Sequence, residues 1–329
     1  MKYKLFILFF IITYLGHCQR IKLELNLTPG KSYTQSIMVY SSAKQPQTDP
    51  KNSDSTMHQY CNSYQKITYC IVNQSNSYYE MKAHYDSLSW VTSFPSGYLE
   101  ITSGNKKKAD PSSLTLQQKL KNTLYKKQYD DYTSILQEML KKTFTVKMSR
   151  TGKIIEVKDI DSLITEIIDK NRNLNINSKI STKREIITDF GDSALKQRLI
   201  MCNPVFADSL VSNGEKWQGN SNFNSLSSVN VLTTYELLDI SDQECLISAS
   251  SKVVTPNKDL QIEFDGNKMK VDLVGNIKYF FKIDRHSGWV LRSKVEQDCR
   301  GKITPINIDK NSLEISIPVE FTNKIAITN

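Results

Sequence analysis

The stretch FTVKMSRTGKIIEVK, from Phe144 to Lys158, returns near the end of the chain as YFFKIDRHSGWVLRSK, from Tyr279 to Lys294. A chain that carries one hairpin twice is constrained to build two related β units. In each copy an apolar set (Phe144, Val146, Met148; Tyr279, Phe281, Ile283) alternates with polar neighbours, the period of a half-buried strand. A glycine that can take positive φ then reverses the chain. The copies share Lys147 with Lys282 and Arg150 with Arg285, differ by one residue in the turn, and resume with Ile154-Ile155 against Val290-Leu291.

A second correspondence sets the repeat. Asn213-Gly214-Glu215-Lys216-Trp217 stands where Pro29-Gly30-Lys31-Ser32-Tyr33 stood, each a turn leading into an aromatic-bearing strand. Gly30 and Gly214 are 184 positions apart, whereas Gly152 and Gly288 are 136 apart, so the first half carries about 48 extra residues. The four glycines are expected as structural turns. Trp217 and Trp289, at turn exits, read as core anchors, with ligand stacking as the functional alternative.

Between the turns, strict alternation at Ile21, Leu23, Leu25 and Leu27 predicts a strand that Pro29-Gly30 ends. Long strands are expected over Met57 to Asn73, Tyr78 to Thr92, Val231 to Leu238, Glu244 to Val253, Gln261 to Phe264, Lys268 to Val274 and Leu313 to Phe321. Pro318 places the last of these at an edge. Helical spacing appears only inside the first half and after it. One stripe is Leu116, Leu120 and Leu124, another Tyr132, Ile135, Leu136, Met139 and Leu140, and a third Leu163, Ile164, Ile167 and Ile168. Lys170 to Lys179 reads as an Asn-rich link, and Thr182 with Glu185 as the capping box of a further helix. The expected fold is therefore α+β and mainly β. It has two related curved antiparallel sheets, with amphipathic helices inserted in the first half and between the halves. Residues 19–200 are the first β-lobe and 201–329 the second.

Lys2 and Lys4 precede a charge-free run from Leu5 to Leu15 and then Gly16-His17-Cys18, the pattern of a signal peptide over residues 1–18. Cleavage before Gln19 is the reading taken; Leu15-Gly16-His17-Cys18 loosely resembles a lipoprotein box, which would acylate Cys18 instead. No later run is long and apolar enough to cross a bilayer. Either route leads to an extracytoplasmic protein in the periplasm, on the outer-membrane surface or secreted. With 43 Lys and Arg against 34 Asp and Glu, less Lys2 and Lys4, the exported chain carries about +7. Lys106-Lys107-Lys108, Lys119, Lys121, Lys126, Lys127, Lys141 and Lys142 concentrate much of that charge; a loop and the wet side of a helix is the reading taken, with an anionic envelope surface as the functional alternative. No nucleic-acid module is present.

The chemistry-bearing residues are sparse. Asp284, His286 and Ser287 share one tight turn, and groups that must converge on a substrate rarely lie along one bend, so no catalytic residue is expected. His58, Cys61, Cys70 and His84 lack paired ligand spacing, and neither a metal nor a cofactor is expected. Cys61 and Cys70, nine residues apart on one strand, would lie about 30 Å apart and do not pair. Connectivity among Cys61, Cys70, Cys202, Cys245 and Cys299 stays open.

The order of these elements resembles a secreted Bacteroidota β-rich family of unknown function. Its marks are a Gly-x-x-Tyr opening, a central hairpin of Gly, a hydrophobic pair and Glu-Val, a Gly-x-x-Trp turn and a late Asp-x-x-x-Gly hairpin. These match Gly30 to Tyr33, Gly152 to Val157, Gly214 to Trp217 and Asp284 to Gly288. The chain departs from it in having Cys18 where such signals usually show Ala before Gln. The resemblance implies an exported β-rich envelope protein and carries no catalytic residues with it. Two function classes follow. One is a binding protein whose helices bound a site for a lipid or other apolar or amphiphilic ligand, lined by Tyr132, Leu136, Met139, Leu163 and Ile167. The other is a structural or protein-interaction module without ligand or catalysis.

Overall fold

Among the described residues, thirteen strands pair antiparallel into one sheet. The structure, a computed structural model, describes residues 20–46, 56–94, 97–104, 130–140, 142–223, 229–255, 261–264, 267–306 and 316–329. The signal segment, the Lys106 to Lys127 cluster with Lys141, and the Leu116, Leu120 and Leu124 stripe lie outside the described residues.

The first half contributes β1 (Ser32–Pro46), β2 (Thr56–Gln74), β3 (Tyr78–Phe94), β4 (Gly97–Thr102), β5 (Thr143–Ser149) and β6 (Ile154–Lys158). The second contributes β7 (Lys216–Phe223), β8 (Val229–Ile240), β9 (Glu244–Val254), β10 (Gln261–Phe264), β11 (Asn267–Asp284), β12 (Val290–Pro305) and β13 (Ile317–Thr328). Along the sheet the order is β6-β5-β3-β2-β1-β13-β12-β11-β9-β8-β7, with β4 on β3 and β10 on β11. The two curved sheets expected from the sequence thus run on into each other, because β13 pairs with β1 on one side and β12 on the other.

The first half runs as five strands along the sheet, β1, β2, β3, β5 and β6; the second repeats them as β7, β8, β9, β11 and β12 and adds β13, and the copies agree in detail. All four turn glycines take positive φ: Gly30 +76°, Gly152 +81°, Gly214 +78° and Gly288 +68°. The register slips between Lys147 and Met148 in one hairpin and between Lys282 and Ile283 in the other. Arg150 donates its backbone N–H to Ser77 and its guanidinium to the Ser75 carbonyl (3.2 Å); Arg285 does the same to Gln243 and to Ser241 (2.8 Å). Each arginine therefore ties a copied hairpin to the turn between the two preceding strands, β2–β3 or β8–β9.

The segment from Ile21 to Leu27 alternates as expected, with Leu23, Leu25 and Leu27 buried, yet it joins no ladder beyond one bridge between Ile21 and Val211. Its hydrogen bonds go to the two hairpin turns instead. Leu25 N–H donates to the Arg150 carbonyl (2.7 Å) and Asn26 N–H to the Ser287 carbonyl (2.8 Å). The segment leading into the second half does the same on the first hairpin, Phe206 N–H donating to the Thr151 carbonyl (2.8 Å). Each hairpin is thus strapped by the leader of the other half.

Helices fill the space inside. A helical stretch covers residues 130–139, followed after β6 by α1 (Ile160–Lys170), α2 (Ile176–Phe190) and α3 (Asp192–Cys202). The starts of α1 and α3 cap each other: Asp192 accepts from Ile160 N–H (2.9 Å) and Asp161 from Asp192 N–H (2.8 Å), carboxylates at positive helix ends. The α2 start differs from expectation. Asn175 caps it by accepting from Ser178 N–H (2.9 Å), so the helix begins at Ile176 and Thr182 lies inside it, buried. Ile176 and Ile180 are exposed, so the first turns carry no buried stripe that the sequence pattern could reveal. Helix α3 touches both terminal strands, β6 and β7, as well as β12 and β13, which requires the sheet to curl around it. One large apolar core runs through both halves and these helices, and a small separate cluster forms around Val271 and Leu273.

Two strand expectations need correction. Lys268 to Val274 is only the first part of β11, which runs unbroken into the second hairpin. β13 is central, not an edge; its Pro318 faces Lys302 on β12, beyond the Lys44 to Glu320 pair where the β1 ladder ends, so its missing N–H breaks no bond on the β1 side.

Candidate functional site

The leader, β1 and the second hairpin border an open cleft of about 570 Å³. Its geometry follows from the turn. Asp284 Oδ1 accepts from Ser287 N–H (2.7 Å) and Ser287 Oγ–H (2.6 Å), and Gly288 N–H donates to the Asp284 carbonyl (2.8 Å). Burial pushes the Asp284 carboxyl up, but the Ser287 hydrogen bonds and the nearby His286 outweigh it, so the group sits below its ordinary value. Gly288 then passes so near the leader that a Cβ there would lie 2.3 Å from the Glu24 carbonyl oxygen. This close approach delivers Trp289 inward, 5.0 Å from the Tyr33 ring and 5.6 Å from the Tyr69 ring. Tyr33, Trp289 and Leu291 are the apolar and aromatic part of the cleft lining. Asn26, Thr28, Lys31, Thr34 and His286 supply polar and basic lining, Lys31 Nζ standing 5.5 Å from the Tyr33 ring centre.

The residues expected to line an apolar site sit elsewhere. Tyr132, Leu136, Met139 and Ile167 are buried members of the common core, and Leu163 is half-buried against it. Tyr132 stacks on Trp90 at 6.1 Å and donates its hydroxyl to Glu185 of α2. Of the five, Ile167 alone borders a described cleft, one of about 190 Å³ whose wall is mostly polar: Ser134, Glu138, Lys142, Glu166, Lys170, Asn171 and Asn173 join Ile135 and Ile167. Glu166 bridges Lys170 (2.6 Å) and Lys142 (3.8 Å) there. Trp217, the counterpart of Tyr33, donates its Nε1–H to the Val205 carbonyl (2.7 Å) and stacks on Tyr235.

The five cysteines among the described residues are free thiols. Cys61 and Cys70 fall on opposite faces of β2: Cys61 faces the core and accepts from Trp90 Nε1–H (3.0 Å), while Cys70 faces out beside Ser32 Oγ (3.2 Å). His84 pairs with Asp86 at 3.1 Å. Burial pushes the Cys61 thiol up to about 11 and that of Cys202 up to about 12, leaving both protonated near neutrality. Among the described residues no helix is long and apolar enough to cross a membrane.

The sequence reasoning missed how the two arginines and the two leaders assemble the site. The signals were present in the shared Arg150 and Arg285 and in the alternation before Gly30. The alternation predicts a strand, whereas the leader bonds the two hairpin turns.

Comparison with known proteins adds a family and little else. Among solved structures, an outer membrane channel from Pseudomonas putida F1 aligns over 92% of this chain and 97% of its own at 6% identity and a TM-score of 0.18. Salmonella typhi OmpF aligns over 92% and 99% at 6% identity and a TM-score of 0.22. Scores this low bear on neither fold nor function. No curated protein matches. Residues 76–290, which include β3, β5 to β9, β11, the three helices and both copied hairpin turns, match a family of unknown function (DUF6263), and the chain belongs to that family.

Proposed function

We propose that the chain is an exported envelope protein that binds a small amphiphilic molecule in the cleft between β1 and the second hairpin. The observation that carries this reading is the composition of that one cleft: Tyr33, Trp289 and Leu291 meet a rim bearing Lys31 and His286. Its volume, about 570 Å³, is within the range of small-molecule sites. Export rests on Lys2, Lys4 and the charge-free run that follows them, and on the likeness to secreted Bacteroidota proteins. The reading assigns no catalysis to the turn, because the Ser287 hydroxyl and the Asp284 carboxylate are spent on each other.

The test is uptake of a dansylated fatty acid. The wild-type protein should bind it with a blue-shifted emission, and Thr28→Trp, which fills the cleft from an exposed position, should lose that binding while keeping its fold. Absence of binding, or binding unchanged in Thr28→Trp, would sink the cleft reading. The interaction reading would then stand on the outer face of the sheet, where Met38 and Tyr40 are exposed on β1 and Tyr60 on β2.

A further inference from the structure

A second place in the molecule asks for a ligand, and it is carried by different observations. Gln35 on β1 and Gln65 and Tyr69 on β2 point to the inside of the sheet, each no more than 1% exposed. Gln35 stands opposite Ile67 and Gln65 opposite Ile37, with Tyr69 opposite Tyr33. Gln35 is thus the diagonal neighbour of both Gln65 and Tyr69, at roughly 7–8 Å between backbones, which long side chains span. The Trp289 ring lies against Tyr33 and Tyr69, the two residues that flank Gln35 on that side. Gln35 Nε2, both polar atoms of the Gln65 amide, Tyr69 Oη and Trp289 Nε1 are all buried and without a hydrogen-bond partner.

Five unpartnered atoms thus fall on four neighbouring side chains. Each buried polar group left unpaired is costly, and an apolar side chain of similar shape at any of these positions would avoid the loss. The set also has a definite chemistry. The amide N–H groups of Gln35 and Gln65, the indole N–H of Trp289 and the phenol O–H of Tyr69 are donors, while Gln65 Oε1 and Tyr69 Oη accept. All four side chains are uncharged, and Arg198, buried beside Tyr85 and Cys202, is paired with Asp189 at 3.8 Å. Burial raises the Tyr69 hydroxyl well above its ordinary value, so it is a neutral donor at any physiological pH.

We propose that Gln35, Gln65, Tyr69 and Trp289 form an internal binding site for a small uncharged molecule rich in hydrogen-bond acceptors. Water is the smallest such occupant, and a small carbonyl compound is the other source of the same chemistry. Two to four polar partners hold a buried water, and this site offers that many. Trp289 also lines the cleft but Gln35, Gln65 and Tyr69 do not, and the site does not depend on the cleft being occupied.

A high-resolution crystal structure of the wild-type protein reads the site directly. Separate peaks bridging Gln35, Gln65 and Tyr69 identify water; continuous density, with a matching mass adduct in native mass spectrometry, identifies a carbonyl compound. Either result supports the site. Magnetic relaxation dispersion of water nuclei gives the solution arm: wild type should show long-lived internal water, and Gln65→Leu or Gln35→Leu should lose part of that amplitude. A carbonyl occupant would instead leave the dispersion flat and the adduct present, and the adduct should vanish in the same variants. An empty space with no dispersion and no adduct would overturn the proposal, as would amides that have turned to bond each other.

Discussion

Adding one methyl group at each of the four turn glycines separates two physical effects that the structure assigns to different pairs. Gly30 and Gly214 take φ of +76° and +78° and have nothing within 4 Å of an added Cβ. Alanine there meets only left-handed backbone strain, about 1–2 kcal/mol, less about 0.4–1 kcal/mol regained from a stiffer unfolded chain. The net cost is therefore about 0–1.5 kcal/mol. At Gly152 the same strain comes with a Cβ 2.4 Å from the Pro204 carbonyl oxygen, and at Gly288 with one 2.3 Å from that of Glu24. Neither contact is with a flexible side chain, so the leader must move. At Gly152 this stretches the Phe206 to Thr151 hydrogen bond, worth about 1 kcal/mol, and partly lifts Phe206, whose full burial is worth about 1.5–3 kcal/mol. Gly152→Ala should thus cost about 2–4 kcal/mol more than Gly214→Ala, and Gly288→Ala should exceed Gly30→Ala by a similar margin. Urea unfolding followed by tryptophan fluorescence measures all four. If Gly152→Ala agrees with Gly214→Ala, and Gly288→Ala with Gly30→Ala, within about 0.5 kcal/mol, the close approach of leader to hairpin is not part of the fold.

The thiols give a second test. In native protein at pH 8, iodoacetamide should label outward-facing Cys70 first and leave Cys202 untouched, because burial holds the latter's thiol up at about 12; equal rates would contradict the placement of α3. The turn carboxylate gives a third. Asp284 is held below its ordinary 3.8, so its contribution to stability is present above that value and is lost as pH falls through the lower folded value. Acid unfolding should therefore weaken wild type more steeply below about pH 4 than Asp284→Asn. Asp189, raised by burial, shifts in the opposite direction but is common to both proteins and cancels in the comparison. Parallel acid curves would remove the Ser287 to Asp284 bonds from the account.

Much of the architecture was legible because it is local. Period-two alternation located β2, β3, β8 and β9 within a few residues, and four glycines marked turns that only positive φ could make. What was not legible is set by partners far along the chain. Ile21 to Leu27 alternates like a strand, yet its carbonyls and N–H groups are taken by two turns more than a hundred residues away and by the Tyr79 hydroxyl. Thr182 and Glu185 have capping-box spacing, but Asn175 captures the helix start first and frees Glu185 to bind Tyr132. The cleft drew no signal from pattern because its lining comes from three separated segments, and only Trp289 had been singled out for ligand contact.

The binding claim is tested most directly by photo-crosslinking with a diazirine-bearing fatty acid, followed by peptide mapping of the labelled protein. The cleft account predicts label on the peptides that carry Tyr33 and on those that carry Trp289 and Leu291, and its loss in Thr28→Trp. Label confined to peptides holding Met139 or Ile167, or a labelling pattern unchanged by Thr28→Trp, would contradict it.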